Sequence, residues 1–156
     1  MLRDNSIFLD KNDELYELLV PKNHLLRQMD ELVDFSFIHE ELKEKYCLDN
    51  GRNAINPIVM FKYIILKHIY KLSDVDVVNR TLYDLSFKYF LGMDPRETTM
   101  INPSSLTKFR RNRLKDENLL DLLISKSVEI AQANGLKLGG RLILDSTHTS
   151  SSYNIK

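Results

Sequence analysis

The densest chemical signal in the sequence lies between Pro103 and Lys115, where Lys108, Arg110, Arg111, Arg113 and Lys115 put five positive charges in 13 residues with no acid among them. Cations at this density attract phosphate. At 100° per residue, Lys108, Arg111 and Lys115 fall on the helix face opposite Leu106, while Arg110 and Arg113 flank the Leu106/Phe109 stripe. The outward trio therefore suits a DNA backbone, and Ser104, Ser105 and Thr107 at the helix start add hydroxyls and N–H groups for phosphate. Read as a bare pattern, the same run also fits a solvated basic helix, with Arg110 and Arg113 paired to acids of residues 1–50.

A second signal is Asp145, which closes the apolar run Arg141-Leu142-Ile143-Leu144. A carboxylate fixed at the end of a buried strand suits a divalent cation, although an aspartate there also forms turns. His148 follows in a Ser/Thr-rich tail and reads as inert beside it. The other histidines, His24, His39 and His68, and the single cysteine, Cys47, have no zinc-ligand spacing, and one cysteine forms no internal disulfide. A reducing cytosol fits.

The elements that must position these groups read as helices. Five glycines and four prolines in 156 residues leave few breaks. The apolar periodicity predicts a short helix over Asn12–Val20, a second opened by Asn23, a third capped by Ser36 and ended at Asp49-Asn50-Gly51, and a fourth opened by Asn56-Pro57. That fourth helix, Pro57–Leu72, is apolar almost all round and is expected to be the buried hub, with Lys62 on its surface. Ser73 with Asp76 predicts one continuous helix to Gly92. A loop, Met93–Asn102, leads to the basic helix, and a last helix runs from about Glu117 to Asn134 with Gly135 as its C-cap. Only Arg141–Asp145 reads as a strand, and an isolated strand leaves its backbone groups unpaired. The chain therefore either holds a helical, DNA-binding unit over residues 1–135 and the start of another over 136–156, or pairs this strand edge with another molecule. The fold class is mainly α, a helical bundle with helix-turn-helix-like elements and a single C-terminal strand.

Charge and hydropathy narrow the classes further. The formal net charge is zero, with 22 Lys+Arg against 22 Asp+Glu. The zero is a cancellation: residues 1–50 hold 12 acids and 6 bases, and residues 51–156 hold 10 acids and 16 bases. The longest apolar stretch, Ile58–Leu72, is broken by Lys62, Lys67 and Lys71 and is shorter than the roughly 20 residues of a membrane span. The N-terminal residues lack a signal-peptide core, so the expected location is cytoplasmic, with nucleoid association when bound to DNA, and no membrane partner.

Four ordered segments carry a resemblance: Leu19-Val20-Pro21-Lys22-Asn23-His24-Leu25-Leu26, Ser86-Phe87-Lys88-Tyr89-Phe90-Leu91-Gly92, Asn102-Pro103-Ser104-Ser105-Leu106-Thr107 and Leu144-Asp145-Ser146-Thr147-His148. Together they resemble the N-terminal part of InsH-type transposases from bacterial insertion sequences, over nearly the whole chain. The resemblance implies a helical region that recognises double-stranded DNA at terminal inverted repeats, preceding an RNase H-like domain whose first strand carries the first carboxylate of a DDE triad. Asp145 would then be a catalytic residue and a metal ligand by descent, and the intact family implies Mg²⁺ or Mn²⁺. Two departures stand out. Asn102-Pro103-Ser104-Ser105 replaces the family's Asp-His before Ser-Thr, and only 11 residues follow Asp145, without the second Asp or the Glu. The expectation is a DNA-binding region cut off just inside its catalytic domain, with no cofactor of its own and Asp145 idle. The alternatives are a stand-alone DNA-binding regulator or inhibitor of the full transposase, a module that self-associates through its acidic and basic halves, and a non-functional pseudogene product.

Overall fold

The computed structural model describes residues 13–47, 56–113 and 117–136, without the side chains of 43–47, 112, 113 and 117–119. Their helices begin where the sequence supplies an acceptor for the free N–H groups of a first turn. Asp13 caps α1 (Glu14–Leu19) by accepting from the Leu15 N–H at 2.9 Å. His24, rather than the expected Asn23, caps α2 (Leu25–Leu32) through Nδ1, 3.1 Å from the Leu26 N–H. Ser36 is the first residue of α3 (Ser36–Cys47), and the capping acceptor is the Asp34 carboxylate at 2.9 Å, two residues earlier than expected.

The Asn56-Pro57 signal opens α4 (Pro57–Tyr70), with Asn56 Oδ1 accepting from the Ile58 N–H at 2.8 Å. Lys71 takes the left-handed conformation, φ 55°, to end it. Ser73 then caps α5 (Asp74–Tyr83) by accepting from the Asp76 N–H at 3.0 Å, as the Ser-x-x-Asp spacing predicts.

The expected single helix from Ser73 to Gly92 is two. At Asp84 the backbone turns extended, φ −104° and ψ 108°; this residue is both the C-cap of α5 and the N-cap of α6 (Leu85–Leu91). Its N–H donates to the Arg80 carbonyl, and its carboxylate accepts from the N–H groups of Ser86 and Phe87. An aspartate offers the backbone this alternative to continued helix, and the apolar pattern on either side hides it. Gly92, φ 76°, ends α6 in the left-handed form that glycine adopts without strain. The loop to Asn102 precedes α7 (Pro103–Arg113), and α8 (Glu117–Ala133) closes at Gly135, φ 111°.

The described residues form eight helices and no strand. The expected Asp49-Asn50-Gly51 turn and the strand Arg141–Asp145 lie outside the described residues.

The hub is α4, which packs against α3, α5, α6 and α7, and α2 bridges α6 and α8. Met60, Phe61, Tyr63, Ile64, Ile65, Leu66 and Ile69 are all buried, so nearly the whole circumference of α4 faces protein, as its continuous apolar pattern predicts. Burying each such side chain contributes about 1.5–3 kcal/mol. Leu106 and Phe109 bring α7 into this core, and Leu123, Ile124, Val128 and Ala131 bring α8. The short helix α1 sits apart on a small cluster of Tyr16, Val20 and Tyr89.

Lys62 is not on the surface. It is 9% exposed, and its ammonium lies 2.7 Å from Asp30 Oδ1 and donates to the Phe90 carbonyl at 2.8 Å. The rings of Phe35 and Phe90 flank it, 4.9 and 5.0 Å from their centres. A lysine is tolerated in the hub because α2 and α6 supply the charge and the carbonyl that replace water.

Candidate nucleic-acid interface

Helix α7 is built as a two-sided element. Leu106 and Phe109 are buried, 0% and 5% exposed, whereas Ser104, Lys108 and Arg111, spaced at i, i+4 and i+7, are exposed along the other side. This is the orientation expected for Lys108 and Arg111. Ser105 is half-buried. The N–H groups at the helix start are already used: that of Ser104 donates to Asn102 Oδ1 at 2.9 Å and that of Ser105 to the Asn102 carbonyl at 2.8 Å. A phosphate at this end would meet the Ser104 hydroxyl and the two cations, not these two amides.

Thr107 and Arg110 face sideways, onto α5. Arg110 forms a two-pronged pair with Asp74, Nη1 to Oδ1 at 2.8 Å and Nη2 to Oδ2 at 2.9 Å, and the Thr107 hydroxyl donates to Oδ2 at 2.7 Å. Lys67 of α4 adds a third group, 3.7 Å from Oδ1. The partner of Arg110 is therefore Asp74, not an acid of residues 1–50. The Arg110 guanidinium holds the Asp74 carboxyl below its ordinary pKa, and Asp74 in turn raises that of Arg110. Sequence reasoning missed Asp74, because nothing local marks a residue 33 and 36 positions from Thr107 and Arg110, and with it missed Lys67, which meets the same carboxylate from the preceding helix. The side chain of Arg113, and Lys115, Asp145 and His148 entirely, lie outside what is described.

Lys88, within one of the segments that carried the resemblance, and Arg27, next to another, turn inward and hold the fold. Arg27, 4% exposed, donates to the Val20 carbonyl at 2.7 Å, pairs with Glu17 at 2.8 Å and covers the Tyr89 ring, 5.0 Å from its centre. Lys88, equally buried, donates to the carbonyls of Pro95 and Glu97 at 3.2 and 2.8 Å, and burial lowers its pKa. Arg96 pairs with Asp13 at 2.8 Å, and the Tyr16 hydroxyl donates to the Met93 carbonyl. These contacts fix the loop that delivers α7.

His24 makes the same region pH-dependent. Burial lowers its imidazole below the usual value of about 6.5, against a counter-pull from Asp84 that Arg80 offsets. The neutral ring can accept the Leu26 N–H; the charged ring cannot. Its contribution is thus present above pH ~6.5 and lost as pH falls through the lower folded value. His24→Asn keeps a capping acceptor, so urea midpoints of that variant should fall less between pH 7 and pH 5 than those of the wild type. His68, also lowered by burial, keeps its own share in both. An identical fall would show that the cap does not titrate.

Among the described residues no group of three or more His, Cys, Asp or Glu could hold a metal ion. A cavity lined by Met29, Ile65, His68, Ile69, Ile124, Ser127 and Val128 encloses only about 10 Å³, room for one water. The exposed cations of α7 are the chemical feature of the described surface that the sequence singled out. No described helix is long and apolar enough to cross a membrane.

The family model Transposase domain (DUF772) matches residues 14–112, more than half of the chain. The chain belongs to this transposase-domain family. The match spans α1 to α6 and nearly all of α7, so it contains Asp74, Lys108, Arg110 and Arg111. Helix α8 lies beyond the match yet packs into the same core as the transposase domain. No curated protein and no solved structure gives a significant match.

Proposed function

We propose that this chain is the DNA-recognition region of an InsH-type insertion-sequence transposase, and that α7 engages double-stranded DNA at the terminal inverted repeats. The observation that carries the reading is the exposed line Ser104, Lys108 and Arg111 on a rigidly seated helix of a transposase domain. Arg113 and Lys115 extend the same basic run in the sequence. Cations along one face neutralise phosphates and release counterions, which supplies most of the affinity and makes it fall with salt.

A helix-turn-helix reading has a rival in α4 and α5, joined by the three residues Lys71–Ser73 with Lys71 left-handed. The outward residues of α5 are Val75, Asp76, Asn79, Leu82 and Tyr83, without a cation among them. An acidic and apolar face suits a phosphate backbone less than α7 does, and this favours α7 as the reader.

The role of Asp145 as the first carboxylate of a DDE site rests on the resemblance. The described residues do not supply a Mg²⁺ or Mn²⁺ site. The test of DNA recognition is fluorescence anisotropy with a labelled duplex carrying the element's terminal repeat and a scrambled duplex, over a salt series. The repeat duplex should bind more tightly, with log affinity falling linearly against log salt for both. Absence of binding to either duplex at low salt would overturn the reading.

A further inference from the structure

Asp74 is the first residue of α5, yet every charged or hydroxyl group that meets its carboxylate comes from another helix: Arg110 and Thr107 of α7 and Lys67 of α4. Its side chain is 16% exposed and that of Arg110 30%, so the pair is shielded from water on most sides. A two-pronged guanidinium–carboxylate pair fixes direction as well as distance, and the Thr107 hydroxyl three residues away adds a second point of attachment on the same side of α7. Two points on one side of a helix determine its rotation about its own axis. The apolar anchors Leu106 and Phe109 set how deep α7 sits, and the Asp74 fork adds a directional constraint on its rotation.

We propose that Asp74 is a positioning residue for DNA recognition: it sets the rotation of α7 so that Lys108 and Arg111 face outward together, and Arg110 acts through Asp74 rather than on a phosphate. The proposal rests on α7 being the DNA-contacting helix. It removes Arg110 and Thr107 from the contact surface that the basic run suggests. It also places a specificity determinant on a helix that makes no DNA contact, since misaligning two cations relative to a repeat end harms the matched site more than random duplex.

The experiment uses the whole chain with Asp74→Asn, Arg110→Gln, the double variant, and Arg110→Lys, which retains the charge but not the fork. Hydrogen exchange of the α7 amides is read without DNA, and anisotropy is read with repeat and scrambled duplexes over a salt series. Each single variant should speed exchange within residues 103–113 and lower the preference for the repeat duplex by roughly tenfold, the double variant should be no worse than either, and all should keep the wild-type salt slope. Arg110→Lys should resemble Arg110→Gln. A slope shallower by about one in Arg110→Gln, restored by Arg110→Lys, would overturn the proposal by making Arg110 a phosphate contact. Tighter binding with a steeper slope in Asp74→Asn would overturn it too, by showing that the carboxylate masks an anion site. Unchanged α7 exchange in all variants would sink it whatever DNA does. Failure of the wild type to bind either duplex would instead refute the DNA-binding reading, with exchange still deciding whether Asp74 holds α7.

Discussion

Replacing Lys62 with alanine is expected to cost the fold about 3–5 kcal/mol, the range for removing one partner of a buried ion pair. The substitution takes away the ammonium that pairs with Asp30 at 2.7 Å and satisfies the Phe90 carbonyl at 2.8 Å, and it opens space between two phenylalanine rings. Asp30 has its side chain only 5% exposed, so water cannot readily take the place of the missing cation. Replacing both members, as in Lys62→Met with Asp30→Leu, should cost far less than the single change, because two desolvated charges disappear together. Urea denaturation at pH 7 measures both. A loss below about 1 kcal/mol for Lys62→Ala would mean that the ammonium reaches water in solution and that α2 and α6 are not clamped to α4 through it.

Neutralising Lys108, Arg111 and Lys115 together should leave stability almost unchanged and lower affinity for duplex DNA by roughly a hundredfold or more at low salt. Lys108 and Arg111 are exposed on α7, on the other side from the buried Leu106 and Phe109. For every phosphate that is no longer neutralised, the dependence of log affinity on log salt should flatten by about one. The loss should appear on repeat and scrambled duplexes alike in affinity at low salt, and unlike that of Asp74→Asn it should come with the flatter slope, because it removes charge instead of changing the register in which α7 sits. Equal affinity and equal slope in the triple variant and the wild type would remove α7 from the interface.

Short-range signals in the sequence led to the right elements. Asn56-Pro57 and the Ser73/Asp76 pair each mark a helix start, and a continuous apolar run marks the hub, because capping and amphipathicity act within a few residues. The outward place of Lys108 and Arg111 was likewise legible from a 100° rotation per residue, whereas Thr107, expected beside phosphate, meets Asp74 instead. What could not be read was pairing at a distance. Lys62 looks like a break in an apolar stretch until Asp30, 32 positions away, is brought beside it. Arg110 looks like one more base of a run until Asp74, 36 positions away, claims it. The split at Asp84 was visible in principle, since aspartate is a favoured N-cap residue, but the apolar periodicity of Leu82, Leu85, Phe87 and Phe90 concealed it.

Their burial sets Lys62 and Lys88 apart chemically from the exposed lysines among the described residues. Lys22, Lys71 and Lys108 present amines to solvent, while Lys62 and Lys88 hold theirs against carbonyls or a carboxylate inside. An acylating reagent needs an accessible, unprotonated amine, so it marks the first group at once and the second only when the helices part. The rate at which Lys62 and Lys88 become acylated is thus an internal clock for opening of the transposase domain. Because Lys88 clasps the loop before α7 and Lys62 clamps α2 to the hub, the two marks time different openings.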